Sequence, residues 1–322
     1  MNRYIVTNPE LWTGRNSGQQ LYMHEKVKCI NLEKENIDKV SKKTIAFLGY
    51  ACDEGVHRNQ GRIGAINGPE EVRTILGKFP NHLEKNVDFF DVGTLECRDG
   101  KLENIQTHLA EKIALLLEKG AFPIIIGGGH DIAYGHYNGI KNHVGPAKSI
   151  GIINFDAHFD LRSDTKGSNS GTPFYQIAQE CKNDNTPFHY LCLGIRRDAN
   201  DSTLFETAMD LGVDYIENKD FTMQNASIVV RKLLDFISIV DHVYVTIDLD
   251  GFSSAYAPGV SAPSPMGFCP NIVLESLELI LNSKRLISMD IAEMNPKYDI
   301  DHQTAKLAAS LIHFVSHNNQ LF

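Results

Sequence analysis

Histidine and aspartate concentrate in three short stretches of this 322-residue chain. Ile124–Asp131 (IIIGGGHD) runs through three glycines to His130. Asn154–Arg162 (NFDAHFDLR) places Asp156, His158 and Asp160 at i, i+2 and i+4, and Thr246–Asp250 (TIDLD) ends on Asp248 and Asp250. Residues two apart in an extended chain point to the same side. Asp156, His158 and Asp160 can therefore converge, as can Asp248 and Asp250, while Ala157, Phe159 and Leu249 face away. Together with His130 they make a set able to hold two cations. Two imidazoles with four carboxylates and no sulfur favour Mn²⁺ over structural zinc and argue against a pure calcium or magnesium cage. Without cations the clustered carboxylates would repel one another. Two dications about 3.5–4 Å apart would neutralise them and hold a hydroxide nucleophile at neutral pH.

Each motif alone is weak, since a lone Asp-x-His is ordinarily surface or capping chemistry and a lone Gly-Gly-Gly a turn. What strengthens them is that all three fall at the ends of expected strands. Rival motifs fail on their own terms. Gly127–Asp131 lacks the Lys-Ser/Thr of a phosphate loop, and Ile132 breaks a dinucleotide fingerprint. Gly167–Gly171 resembles a nucleophile elbow, but its central residue is Asn169 rather than serine.

The elements that must position these residues alternate regularly. Strands are expected at Thr44–Tyr50, Val87–Val92, Phe122–Ile126, Ser149–Phe155, His189–Leu193, Val213–Ile216, His242–Leu249 and Leu286–Ile291. A helix begins near Pro69. Others are expected at Leu102–Lys119, Ile132–Asn142, Pro173–Cys181, Thr203–Leu211, Ser227–Val240, Asn271–Leu281 and Gln303–His317. Such alternation predicts a single three-layer α/β/α domain over 44–322 with a mainly parallel sheet of roughly eight strands. Residues 1–43 fit the pattern poorly and read as an N-terminal extension packed outside the domain. Two long Gly/Asn/Ser-rich segments, Ala51–Gly68 and Leu161–Thr172, follow strands and should emerge at the carboxyl edge, where open α/β sheets place ligands.

Composition narrows the partners. Hydrophobic residues make up 42% and charged residues 22%, which excludes disordered and fibrous classes. With 31 basic against 40 acidic residues the net charge is −9, and no basic stripe suits nucleic acid. The longest apolar runs are too short to span a bilayer. Met1–Glu10 shows no secretory signal. The six cysteines include no Cys-x-x-Cys pair, so neither a disulfide framework nor a thiolate zinc site is expected. The expectation is a soluble cytoplasmic protein.

The chain also resembles the ureohydrolase superfamily of arginases, agmatinases and formimidoylglutamases. The matching stretches are Gly-Gly-Gly-His130-Asp131, Asp156-Ala-His158-Phe-Asp160, Asp248-Leu-Asp250-Gly-Phe with Ala257-Pro-Gly259, and Met289-Asp290-Ile-Ala-Glu293-Met-Asn295-Pro296. The formimidoylglutamase branch is favoured by Leu11-Trp12-Thr-Gly14-Arg15, by the run from Asp53 to Ala65, and by Ser170-Gly-Thr-Pro-Phe174, where agmatinases and arginases carry histidine in place of Ser170. The resemblance implies an arginase-like fold with two Mn²⁺ per chain. One would be bound by His130, Asp156, Asp160 and Asp248, and the other by Asp156, His158, Asp248 and Asp250. A bridging hydroxide would attack the formimidoyl carbon of N-formimidoyl-L-glutamate, releasing glutamate and formamide in histidine degradation. Asp160 would serve as general base and then acid, and Glu293 would pair with the formimidinium nitrogen. The dicarboxylate substrate would need donors from Arg162, Asn59, Arg62 and Arg58 beside Ser170, with Arg suited by its bidentate fork. Relatives commonly form trimers or hexamers. The alternatives are a guanidine hydrolase that releases urea, a one-metal deacetylase, against which His130 and Asp250 argue, and a pseudoenzyme, against which all six ligands argue.

Overall fold

Runs of β-branched and aromatic residues, buried on both faces, become the strands of one sheet. The computed structural model describes residues 3–35 and 43–318; positions 1–2 and 36–42 of the expected extension, with 319–322, lie outside the described residues. Among the described residues there are ten strands: β1 (Arg3–Ile5), β2 (Val27–Cys29), β3 (Thr44–Ala51), β4 (Asp88–Glu96), β5 (Phe122–Ile126), β6 (Ile150–Phe155), β7 (His189–Ile195), β8 (Asp214–Glu217), β9 (His242–Asp248) and β10 (Leu286–Ala292). Their order is β1-β4-β3-β5-β10-β9-β6-β7-β8, with β2 beside β4. Only β1 runs antiparallel to its neighbour. The single α/β domain has helices on both faces, as expected, and the eight anticipated strands all form.

The two additional strands come from the first 29 residues and pair with the outer side of β4, β2 at its start and β1 at its end. Each is only three residues long, so no alternation could register in the sequence. Side chains alternate across the sheet into two cores. Phe47, Ile124, Ile153, Val245 and Ile291 pack under the helices Gly68–Leu76, Pro270–Asn282 and Gln303–Asn318. Leu48, Ile125, Ile152 and Tyr244 pack under Leu102–Glu118, Ile132–Val144 and Pro173–Asn183.

What matters for chemistry is the middle of the order. Strands β5, β10, β9 and β6 are consecutive neighbours, and all are parallel. Their carboxyl ends therefore open at one edge of the sheet. These are the strands that lead into His130, Glu293, Asp248 and Asp156.

Candidate metal centre

The turn after β5 brings backbone against backbone. A Cβ on Gly128 would lie 1.9 Å from the Cys52 carbonyl oxygen, so glycine is required there. Gly129 N–H donates to that same carbonyl at 2.9 Å. The chain then delivers His130, 1% exposed, onto the ends of β6 and β9. The latter two strand ends use a common device. Asp156 Oδ1 accepts from the His158 backbone N–H at 2.7 Å, and Asp248 Oδ1 accepts from that of Asp250 at 2.8 Å. Each carboxylate is thereby fixed by one oxygen and presents the other.

Those second oxygens converge on one atom. His130 Nδ1 lies 3.1 Å from Asp156 Oδ2, 2.9 Å from Asp160 Oδ2 and 3.0 Å from Asp248 Oδ2. Beside them, His158 Nδ1 stands 3.2 Å from Asp250 Oδ1 and 3.4 Å from Asp156 Oδ1. Among the described residues, ligand atoms within 4.8 Å of one another thus form two groups: His130, Asp156, Asp160 and Asp248, and then Asp156, His158 and Asp250. Asp156 belongs to both. Asp248, placed in both sets by the resemblance, is gathered only into the first.

The donor set fits divalent cations. His130 Nδ1 and Asp250 Oδ1 are buried without a hydrogen-bond partner, which is costly for polar atoms unless something else binds them. Burial, and then the Asp248 charge, pushes the Asp250 carboxyl well above its ordinary range. Burial, and then Asp156, raises Asp160. Burial opposes a charge on His130, but Asp248, Asp156 and Asp160 outweigh it and raise its pKa well above the usual value. The groups carry an excess of negative charge that cations would relieve. Asp160 also holds φ +48°, a left-handed conformation that aspartate tolerates better than most residues.

Glu293 follows β10 at φ +66°. Its Oε1 accepts the His130 backbone N–H at 3.0 Å, while Oε2 is buried without a partner. Burial, followed by Asp248 and Asp250, pushes its carboxyl well up. Above it opens a cavity of about 510 Å³ lined by His130, His158, Asp160, Asp248, Asp250 and Glu293, with Asn59, Arg62, Arg162 and Ser170 at its wall.

The two Gly/Asn/Ser-rich segments form that wall because they are stitched together. Ser170 N–H donates to the Gly55 carbonyl at 3.1 Å, Arg162 N–H to Gly171 at 2.9 Å, and Asn59 Nδ2 to Ser170 Oγ at 3.1 Å. The arginines separate by what they already hold. Arg58 does not reach the cavity: its guanidinium is engaged by Glu54, Glu103 and the carbonyls of Gly100 and Ser168. Arg62 lines it, but donates to the carbonyls of Val260 and Ser261 and lies 4.0 Å over the Tyr298 ring, so it braces the wall. Arg162 is exposed at the mouth, and no hydrogen bond occupies its guanidinium among the described residues.

Sequence reasoning missed the residues beneath the ligands. Asn154 Nδ2 donates to Asp156 Oδ2 at 3.0 Å, and Tyr190 O–H donates to the Phe159 carbonyl beside Asp160. Thr246 Oγ1 lies 3.0 Å from His130 Nε2. Asn154 and Thr246 each precede a ligand by two, on the same strand face, which was the available signal.

The sequence profile of the arginase family matches residues 43–316. The formimidoylglutamase of Clostridium tetani (strain Massachusetts / E88) is 41% identical over 318 residues, covering 96% of this chain and 94% of its own. A solved formiminoglutamase from Trypanosoma cruzi, with Mn²⁺, is similar at a TM-score of 0.74 and 25% identity, covering 86% of this chain and 93% of that one. The formimidoylglutamase of Bacillus subtilis subsp. subtilis str. 168 shares the fold at a TM-score of 0.82 and 21% identity, covering 96% and 95%. A central parallel sheet whose adjacent carboxyl ends gather His130, Asp156, Asp160 and Asp248 is thus accompanied by likeness along nearly the whole chain, and the chain belongs to the arginase family.

Proposed function

We propose that this chain hydrolyses N-formimidoyl-L-glutamate to L-glutamate and formamide, with two Mn²⁺ held by His130, Asp156, Asp160 and Asp248 and by Asp156, His158 and Asp250. The observation that carries the reading is the pair of ligand groups sharing Asp156 directly beneath a cavity that also holds Glu293. The curated relatives named formimidoylglutamase support the substrate. When bound, the cations supply charge neutralisation and an activated water at neutral pH.

The chain's own groups then have distinct tasks. Glu293 Oε2, buried and unpartnered, accepts a hydrogen bond from the formimidinium nitrogen and aims the carbon toward the ligand groups. Asp160 takes the proton of the attacking water and passes it to the glutamate nitrogen as the C–N bond breaks. Arg162, exposed at the mouth with no hydrogen bond to its guanidinium among the described residues, receives a substrate carboxylate. Asn59 and Ser170 complete that side of the wall.

The test is release of formamide from formimidoylglutamate in the presence of Mn²⁺, run beside agmatine and arginine. Urea from either guanidine, without formamide, would overturn the assignment. Arg162→Ala is expected to raise KM roughly tenfold while kcat changes little, since a charge-assisted hydrogen bond contributes about 1.5–3 kcal/mol and this one is exposed. Arg162→Lys should recover part of the loss. An unchanged KM for Arg162→Ala removes the carboxylate role.

A further inference from the structure

Below His130, between β9, β10 and the helix Ile132–Val144, lies a polar cluster that no task assigned so far uses. Asp290, Thr246, Tyr244, His136 and Ser288 are all 0% exposed. Thr246 Oγ1 donates to Asp290 Oδ1 at 2.6 Å. Tyr244 O–H donates to Asp290 Oδ2, and His136 Nδ1 meets the same oxygen at 2.5 Å. His136 Nε2 lies 2.7 Å from Ser288 Oγ, whose own hydroxyl donates to the Pro123 carbonyl at 2.9 Å. Two hydroxyls thus donate to the Asp290 carboxylate and the His136 ring closes on it, each anchored on a sheet strand or the covering helix.

We propose that Asp290, acting through Thr246, is a positioning residue that sets which nitrogen of His130 faces the cation. The inference rests on the metal reading above. It follows from counting protons. A threonine hydroxyl has one hydrogen, and Asp290 takes it. What Thr246 can then offer His130 is a lone pair, so Nε2 must carry the proton that spans the 3.0 Å between them. The bare lone pair is left on Nδ1, the atom aimed at Asp156, Asp160 and Asp248. Were the hydroxyl free to turn, it could donate to Nε2 instead, and the proton would move to Nδ1 and oppose a cation. Partners of this kind fix ring tautomer and orientation at metal sites, and their loss costs about 10–100-fold in metal affinity.

The arrangement also explains why one ligand group is affected and not the other. His158 belongs to the second group and lies outside this cluster. Removing the Thr246 hydroxyl therefore weakens one cation selectively, whereas general damage to the core would weaken both.

The experiment compares the full-length chain with Thr246→Val, Thr246→Ser and Asp290→Asn. Mn²⁺ binding is measured by equilibrium dialysis with metal analysis, and folding by circular dichroism. Thr246→Val and Asp290→Asn are expected to weaken one of two Mn²⁺ by 10–100-fold and leave the other within about threefold, with Thr246→Ser close to the parent. A ¹⁵N-histidine NMR spectrum of the unsubstituted chain loaded with diamagnetic Zn²⁺ should place the His130 proton on Nε2. This spectrum decides the matter even if Thr246→Val does not fold. Equal binding of two Mn²⁺ by a folded Thr246→Val chain, or a proton on Nδ1 with Zn²⁺ bound, overturns the proposal. If the unsubstituted chain binds no Mn²⁺, it is the metal reading that fails, a separate outcome.

Discussion

Asp156→Asn is expected to lower kcat/KM by a thousandfold or more, about 4 kcal/mol of transition-state stabilisation, and to leave fewer than two Mn²⁺ per chain. Asp156 is the residue common to both ligand groups. Oδ1 accepts the His158 N–H and faces the His158 ring, while Oδ2 faces His130 Nδ1 and accepts from Asn154 Nδ2. Asparagine preserves the volume but removes one negative charge from each group and substitutes an N–H₂ for an acceptor. If Oδ2 becomes nitrogen, it meets the Asn154 donor; if Oδ1 does, it meets the His158 N–H. Neither orientation is satisfied.

The stability of this variant distinguishes a lost site from a lost fold. In the metal-free chain burial opposes the Asp156 charge, but His130 and His158 outweigh it and hold the carboxyl well below its ordinary range, so Asp156→Asn should lower the melting temperature modestly while the chain still unfolds cooperatively. Added Mn²⁺ should raise the melting temperature of the unsubstituted chain, because the ion binds the folded state alone. In Asp156→Asn that increment should shrink. Metal analysis, calorimetry and turnover on one preparation check all three. Full turnover with two Mn²⁺ retained would remove Asp156 from the centre.

Much of this centre was legible because strand geometry is local. Alternation alone put Asp156, His158 and Asp160 on one side and Asp248 with Asp250 on another, and the adjacency of β5, β10, β9 and β6 completes the convergence. That adjacency was not in the sequence pattern, since parallel neighbours here are separated by whole helices and, for β5 and β10, by more than half the chain. Arg58 illustrates the limit. A loop arginine beside Asn59 reads equally as substrate donor or structural charge, and the sequence gives no sign of the contact its guanidinium makes with Glu103, 45 positions away. Asp290 was hidden differently. It sits in an apolar run, where a polar residue shows its purpose only once its partner on the neighbouring strand, Thr246, is known. The short β1 and β2 are held by β4 and by side chains, not by their own propensity.

Asp91 is where that outer edge is tied down, and Asp91→Asn is expected to cost about 3–5 kcal/mol of stability, on the order of 10 °C in melting temperature. Asp91 and Arg73 are both 0% exposed. Arg73 meets the carboxylate in a fork, Nε to Oδ2 at 2.7 Å and Nη2 to Oδ1 at 3.1 Å. Trp12 Nε1 donates to Oδ2 and Thr7 Oγ1 to Oδ1, each at 2.7 Å, and Gly93 N–H adds a fifth donor. Asparagine leaves the guanidinium buried without its counter-charge and sets an amide N–H₂ against donors. A buried pair broken on one side costs far more than the intact pair contributes. Because Thr7 and Trp12 hang on the same carboxylate, the segment carrying β1 should loosen first. Trp12 is the chain's one tryptophan, so its fluorescence reads that region directly. Asp91 lies on β4, with β3 between it and β5, so kcat well below the transition should be retained. A melting temperature within a degree of the parent's would show that this carboxylate does not anchor the edge.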